Sequence, residues 1–297
     1  MKSLVITERI CLGGHILAKV FGLAGMLLVI PNAEVVLNLG SVGQSAMQLS
    51  MANGGVADIV FGTIAVSLYA SRVLGWRTWL AFFLPSVFIS LSSELLGTST
   101  GFPFGDYSYL SGLGYKIAGL VPFTIPLSWF YVGLSAYLLA RSGLNVAQKP
   151  TFLRHFGAVA LGALLFTCWD FALEPAMSQS IIAFWSWAEP GAFFGTPYGN
   201  YAGWYGTSFL FISVAALLWG NTPIKLQRQQ LNVPLVVYLS NFVFAAGLSL
   251  GSGFPIPVML AFTLGVIPAL ALWRNSQAEA ILTTKEVPVA AVKVALK

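Results

Sequence analysis

Residues 153–173 read LRHFGAVALGALLFTCWDFAL, an apolar run with Arg154 near one end and Asp170 near the other. A helix of roughly 20 such residues spans the hydrocarbon core of a bilayer. Outward from this run the chain holds seven more stretches of the same kind, near 18–39, 54–73, 77–97, 120–140, 204–220, 233–251 and 255–273. Of the 297 residues 57% are hydrophobic and only 8% charged, and the mean hydropathy is +0.80. A soluble domain carries roughly 25% charged residues, so a soluble enzyme, a disordered tail and a nucleic-acid binder are all excluded. The expected fold is all-α and membrane-integral: a single bundle of about eight transmembrane helices over residues 1–275, with a short polar tail over 276–297. The first run does not read as a cleavable signal peptide. Lys19 interrupts it, and Ile30-Pro31-Asn32-Ala33 before Glu34 lacks small side chains at both cleavage positions.

Basic residues orient such a bundle, because they are retained on the cytoplasmic side. With eight helices, Lys2, Arg9, Lys19, Arg72, Arg77, Arg141, Lys149, Arg154, Lys225, Arg228, Arg274, Lys285, Lys293 and Lys297 all fall on one side. Only Lys116 falls on the other. Both termini, and the tail, are therefore expected to be cytoplasmic. The acids run the opposite way. Glu8, Glu279 and Glu286 lie inside, whereas Glu34, Asp58, Glu94, Asp106, Asp170, Glu174 and Glu189 fall in outer loops or the outer halves of helices. The positive-inside rule says little about acids, so this clustering marks a candidate site.

Two outer connections, 98–119 and 174–203, exceed the length at which loops tend to be functional or disordered. Both are rich in aromatics and glycine and poor in charge. Gly101-Phe-Pro-Phe-Gly-Asp106-Tyr107 matches Gly195-Thr-Pro-Tyr-Gly-Asn200-Tyr201 in the pattern Gly-x-Pro-aromatic-Gly-Asp/Asn-Tyr. This repetition predicts two related helix–loop–helix units whose loops cap one cavity, although each aromatic alone could belong to the interfacial belt. A shorter echo, Gly253-Phe254-Pro255, carries no weight.

Ionisable groups within the membrane are costly and mark substrate or proton paths. Glu94 is expected about 5 Å below the outer end of its helix. Asp170 and Glu174, four apart, share a helix face, and Pro175 is expected to help end that helix. The bland reading of each is a satisfied contact between helices. Asp106 fits a turn better than a catalyst but stays in the candidate set. Glu34 and Asp58 are placed near helix ends within reach of water, Glu189 shapes its loop beside Pro190, and His15 and His155 are placed at the cytoplasmic interface.

Two histidines cannot supply the ligands of a membrane di-iron oxygenase. Cys11 and Cys168 make neither a disulfide framework nor a zinc site. No dinucleotide fingerprint, P-loop or magnesium-binding Asp-rich motif is present in the sequence. Acids among aromatics leave proton chemistry or simple binding. On a long polyene, a buried acid kept neutral by desolvation can protonate a trisubstituted terminal alkene. Aromatic faces and a second carboxylate stabilise the tertiary cation. Water then gives a tertiary alcohol; without water a ring closes.

At these residues the sequence resembles the membrane carotenoid 1,2-hydratases of the CruF type, which include the cyanobacterial gamma-carotene 1'-hydroxylases and the archaeal bisanhydrobacterioruberin hydratases. The resemblance is carried by Glu94-Leu-Leu-Gly97 and Thr100-Gly-Phe-Pro-Phe-Gly-Asp-Tyr-Ser-Tyr109, then Val121-Pro122 and Trp129. It continues through Trp169-Asp170, Glu174-Pro175, Trp185-Ser-Trp187, Gly195-Thr-Pro197, Asn200, Gly203 and Trp204. The chain departs from the family pattern at Glu174, where aspartate is more usual, and at Phe193-Phe194, where tyrosine is common. The resemblance implies a hydro-lyase without a cofactor that adds water to the terminal 1,2 (1',2') double bond of an acyclic carotenoid end such as that of gamma-carotene or lycopene. It also implies a multi-pass protein of a bacterial plasma or thylakoid membrane, with carotenoid and water as partners and a downstream carotenoid glycosyltransferase as a candidate neighbour.

The expected proton donor is Glu94, and the expected cation stabiliser or water-orienting base is Asp170, with an exchange of roles left open. Glu174 and Asp106 complete the catalytic candidates. The candidate substrate-binding residues are Tyr107, Trp129, Trp169, Trp187, Tyr198, Asn200, Tyr201 and Trp204. The sequence leaves open a carotene cyclase, which shares the protonation but excludes water, and a non-catalytic carotenoid or lipid binder.

Overall fold

Apolar runs fold into helices in a bilayer because only internal hydrogen bonding satisfies the backbone there. The computed structural model describes residues 2–32, 34, 38–180, 182–220, 222 and 224–276. Its helices are α1 (Lys2–Ala24, continued by a π-helical turn Gly25–Val29), α2 (Ser41–Val73), α3 (Trp76–Thr100) and α4 (Thr124–Gly143). There follow α5 (Phe152–Cys168), α6 (Asp170–Gln179), α7 (Tyr198–Trp219), α8 (Arg228–Gly251), α9 (Pro255–Ala261) and, after a π-helical Phe262–Val266, α10 (Ile267–Asn275). Among the described residues, seven helical segments are long and apolar enough to cross a membrane: 2–29, 41–73, 76–100, 152–179, 198–219, 228–251 and 255–275. The chain is an all-α, multi-pass integral membrane protein.

The eighth long helix, α4, differs in composition because of where it sits. It packs on α2, α3, α5, α7, α8 and α10, and it is buried without a break from Trp129 to Arg141. It therefore tolerates tyrosine, serine, tryptophan and arginine that a lipid-facing helix would avoid. Aromatic rings from four helices fill the space beside it. Trp129 touches Phe166 and Trp204, Phe211 links these to Phe82, and Phe82 reaches Tyr137 and Trp219.

Several boundaries differ from expectation. Helix α1 starts at Lys2 rather than near residue 18, because Glu8 and Lys19 within it are paired across the α1–α2 hairpin. Arg72 donates to Glu8 at 2.7 Å. About 16 Å further along α1, Lys19 Nζ lies 2.8 Å from Asp58 Oδ2, and His15 Nδ1 lies 2.7 Å from Asp58 Oδ1. Lys19 and Asp58, assigned to opposite sides from the sequence, thus share one depth in the middle of two helices. His15 is fully buried, not interfacial. Helix α3 continues to Thr100, so Glu94 lies about 9 Å from its end rather than 5 Å. Pro175 sits inside α6 and does not end it. The chain instead breaks at Trp169, between α5 and α6, and Asp170 opens the new helix. Glu34 is exposed, as expected. The residues of the tail from 277 onward, with Glu279, Lys285, Glu286, Lys293 and Lys297, lie outside the described residues.

The two long connections, now 101–123 and 180–197, meet in a two-stranded antiparallel sheet. Strand β1 (Tyr107–Tyr109) pairs with β4 (Trp185–Trp187) in the register Tyr107–Trp187 and Tyr109–Trp185. Strands β2 (Lys116–Ile117) and β3 (Val121–Pro122) form a second, local pair. The two matching heptads are not structural repeats. Residues 101–107 turn out of α3 into β1, whereas Tyr198, Asn200 and Tyr201 already belong to α7. Pro197, extended at φ −66° and ψ 139°, precedes the first turn of that helix, so similar residues serve a strand in one copy and a helix start in the other.

Candidate active site

Strand geometry sends alternate side chains to opposite faces. In β1, Tyr107 and Tyr109 turn inward and Ser108 outward. In β4, Trp185 and Trp187 stand beside them, and Ser108 and Ser186 approach at 3.4 Å on the far face. The sheet thus presents four ring donors to the helix ends beneath it.

Those donors converge on carboxyl groups. Both tyrosine hydroxyls donate to Glu94 Oε2, that of Tyr109 at 2.8 Å, and Trp129 Nε1 donates to Glu94 Oε1 at 3.2 Å. Trp185 and Trp187 donate to Glu174 Oε1 at 2.6 and 2.9 Å. Asn200 Nδ2 donates to Asp170 Oδ2 at 3.3 Å. Asp170 Oδ1 and the Trp169 indole N–H have no hydrogen-bond partner among the described residues. Glu94, Asp170 and Glu174 are all buried, and each lies within electrostatic reach of the others. The phenols of Tyr107 and Tyr109 are pushed well above their ordinary value, first by burial and then by the charge of Glu94. They therefore remain protonated donors. Lys116, the one base expected on this side, donates to the Tyr109 carbonyl and helps hold β1.

Close approach depends on two glycines. Gly97 follows Glu94 by one helical turn, and an added Cβ there would lie 2.6 Å from Phe104 and 3.2 Å from the Tyr107 hydroxyl. On α7, a Cβ at Gly203 would lie 2.6 Å from the other edge of the same Phe104 ring. Phe104 is therefore gripped between α3 and α7, and Tyr107 rests against it at 6.1 Å between centroids.

Most expected site residues gather here. Trp129 and Trp204 stack at 4.6 Å, Trp169 meets Trp204 edge-on, and Tyr201 packs on Phe171 at 4.8 Å. Two do not. Asp106 is exposed, because its neighbour Tyr107 takes the inward position of the strand; its carbonyl accepts from Ala188 N–H. Tyr198 is 65% exposed at the start of α7, with its ring 6.3 Å from that of Phe193. Among the described residues no three His, Cys, Asp or Glu side chains are grouped to hold a metal ion.

Residues 54–268 match the family described as carotenoid biosynthesis protein. The chain belongs to that family. Over 190 residues it is also 34% identical to bisanhydrobacterioruberin hydratase of Haloarcula japonica, an overlap of 63% of this chain and 60% of that one. The chain thus spans about three fifths of the length of that relative. No solved structure matches it. The family match takes in Glu94, Asp170, Glu174 and both aromatic strands, and leaves out α1.

Two hydrogen-bonding residues of this family member escaped the candidate set, Tyr109 and Trp185. The signal for them was present: Tyr-Ser-Tyr and Trp-Ser-Trp each carry two large polar-tipped rings at the spacing that puts both on one face of a strand.

Proposed function

We propose that the protein is a carotenoid 1,2-hydratase that adds water across the terminal 1,2 double bond of an acyclic carotenoid end, as in gamma-carotene or lycopene. The observation that carries this reading is the unequal treatment of the three buried carboxyl groups. Glu94 accepts from three O–H or N–H donors and Glu174 from two, the surroundings of ionised acceptors. Asp170 has one donor and one unpartnered oxygen. Three carboxyl groups this close in a dry site do not all ionise, and the proton rests on the group with fewest competing donors. This exchanges the roles first expected: Asp170 is the acid, and Glu94 with Glu174 supplies negative charge.

In the proposed reaction the Asp170 carboxyl gives its proton to the CH carbon of the terminal alkene. The alkene π pair forms the new C–H bond, and the positive charge develops on the dimethyl-substituted carbon. Glu94 and Glu174 stabilise that charge at short range, with the ring faces of Tyr201 and Trp169 adding cation–π attraction. A water oxygen attacks the cation and its surplus proton returns to Asp170. Alkene plus water gives a tertiary alcohol with no change of oxidation state, so the step requires no redox cofactor. The similarity to a Haloarcula hydratase supports the same reaction class.

The test is product mass after expression in a bacterium that accumulates lycopene and gamma-carotene. Gain of one water supports the hydratase. Gain of one oxygen atom refutes it, an isomer of unchanged mass indicates a cyclase, and unaltered pigment alongside abundant folded protein indicates a binder.

A further inference from the structure

An apolar polyene longer than the acid site must lie against some further surface, and the bundle interior is already full. Trp129, Phe166 and Phe211 are closed off at 1%, 1% and 0% exposure. A second row of rings is not closed. Phe171, next to Asp170, and Tyr201, next to Asn200, meet Phe193 at 5.9 and 5.2 Å between centroids. Phe193 meets Phe194 at 5.1 Å, and Phe194 meets Phe254 at 5.9 Å in the turn between α8 and α9. Phe171, Phe193, Phe194 and Phe254 are all half-buried, so part of each ring is accessible, while Tyr201 is buried beneath them, and the row ends beside the exposed Ile256.

The backbone under this row breaks a local rule. Phe193 and Thr196 exchange hydrogen bonds at 3.1 and 2.9 Å, which closes a two-residue turn with Phe194 at φ +48° and Gly195 at φ +85°. Two successive positive φ values define the type I′ turn, whose first central position favours asparagine, aspartate or glycine. A bulky aromatic there is an outlier. Strain of this kind persists where the surroundings hold it and clusters at ligand clamps. What Phe194 gains in this position is its perpendicular contact with Phe193 and Phe254.

We propose that the Phe193–Phe194 turn and Phe254 form the seat for the conjugated stem of the substrate, leading from the lipid-facing edge at α9 to Asp170. The inference rests on the hydratase reading. Its ligand class is a flat, apolar polyene, which ring faces and edges contact along its length without any polar group.

The test uses Phe194→Asn, which suits the positive φ and removes the ring, with Phe254→Leu as a second variant that keeps apolar bulk. Two readouts are taken on the purified full chain. One is the ratio of kcat/KM for a full-length acyclic carotenoid to that for a short isoprenoid with the same trisubstituted end. The other is the shift in visible absorption when the carotenoid binds. Both variants are expected to lower the ratio, Phe194→Asn by at least tenfold, with a weaker absorption shift and no loss of melting temperature in Phe194→Asn. An unchanged ratio, or equal loss on both substrates, overturns the seat. If the wild type shows the absorption shift and Phe194→Asn weakens it, yet no water is added to any substrate, the hydratase reading fails and the seat stands.

Discussion

Gly97→Ala is a small change with a large expected consequence. The new methyl group would lie 2.6 Å from Phe104 and 3.2 Å from the Tyr107 hydroxyl. Phe104 cannot retreat, because Gly203 already grips its opposite edge. Overpacking of this kind costs about 1–3 kcal/mol, set against a gain of about 1 kcal/mol from replacing a helical glycine. The clash also drives Tyr107 off Glu94, removing a hydrogen bond to a charged group worth about 1.5–3 kcal/mol. Turnover is therefore expected to fall by about 10- to 100-fold, and stability by about 1.5–5 kcal/mol from the same terms. Gly206→Ala on α7 is the matched control, since nothing lies within 4 Å of its added Cβ; it should gain stability and keep its rate. The assay is carotenoid turnover and melting temperature in detergent for both variants and for Gly97→Ala combined with Phe104→Leu. The double variant should recover part of the rate. Full activity in Gly97→Ala alone would refute the proposed grip on Phe104 and its link to Glu94.

Asp170→Asn should lower turnover by at least about 10²-fold, the low end of a general acid's contribution, and Glu94→Gln should also be severely impaired. Both should elute as folded protein on size exclusion, and near-normal rates would overturn the acid–carboxylate assignment. Asp58→Asn leaves Lys19 and His15 without their buried partner, so it should destabilise by about 3–5 kcal/mol. A melting curve like that of the wild type would show the cluster to be energetically idle. Because Tyr107 and Tyr109 are held above the ordinary phenol value, their stabilising contribution is complete below about pH 10 and is lost as pH rises from there. Stability should fall by about 1.4 kcal/mol per pH unit for each phenol. Tyr109→Phe should lessen that slope by about 1.4 kcal/mol per pH unit; an unchanged alkaline slope would count against burial of the phenol.

The membrane helices were legible because the bilayer leaves few alternatives to a long apolar helix. Their limits were not, since a hydropathy window stops at charges that α1 and α2 pair with each other. Lys19 and Asp58 illustrate this: each looks like a boundary alone, and together they are an interior ion pair. Glu94, Asp170 and Glu174 were legible because acids inside apolar helices are rare and costly. Their donors were harder to read, since β1 and β4 lie some 80 residues apart and neither strand is long enough to announce itself. The heptad pattern led astray for a related reason: residue identity at 101–107 and 195–201 matches, but one segment leaves a helix and the other enters one. At Asp106 the alternation of a three-residue strand decided the outcome, and composition carries no record of that phase.

The most direct test of the hydratase reading is the source of the oxygen in the product. The purified protein is given an acyclic carotenoid in ¹⁸O-labelled water with molecular oxygen excluded, and the product is analysed by mass spectrometry. The expected result is a tertiary alcohol carrying the label on the dimethyl carbon, formed at the same rate without oxygen. An unlabelled alcohol, or one that forms only when oxygen is admitted, would contradict acid-catalysed hydration at Asp170.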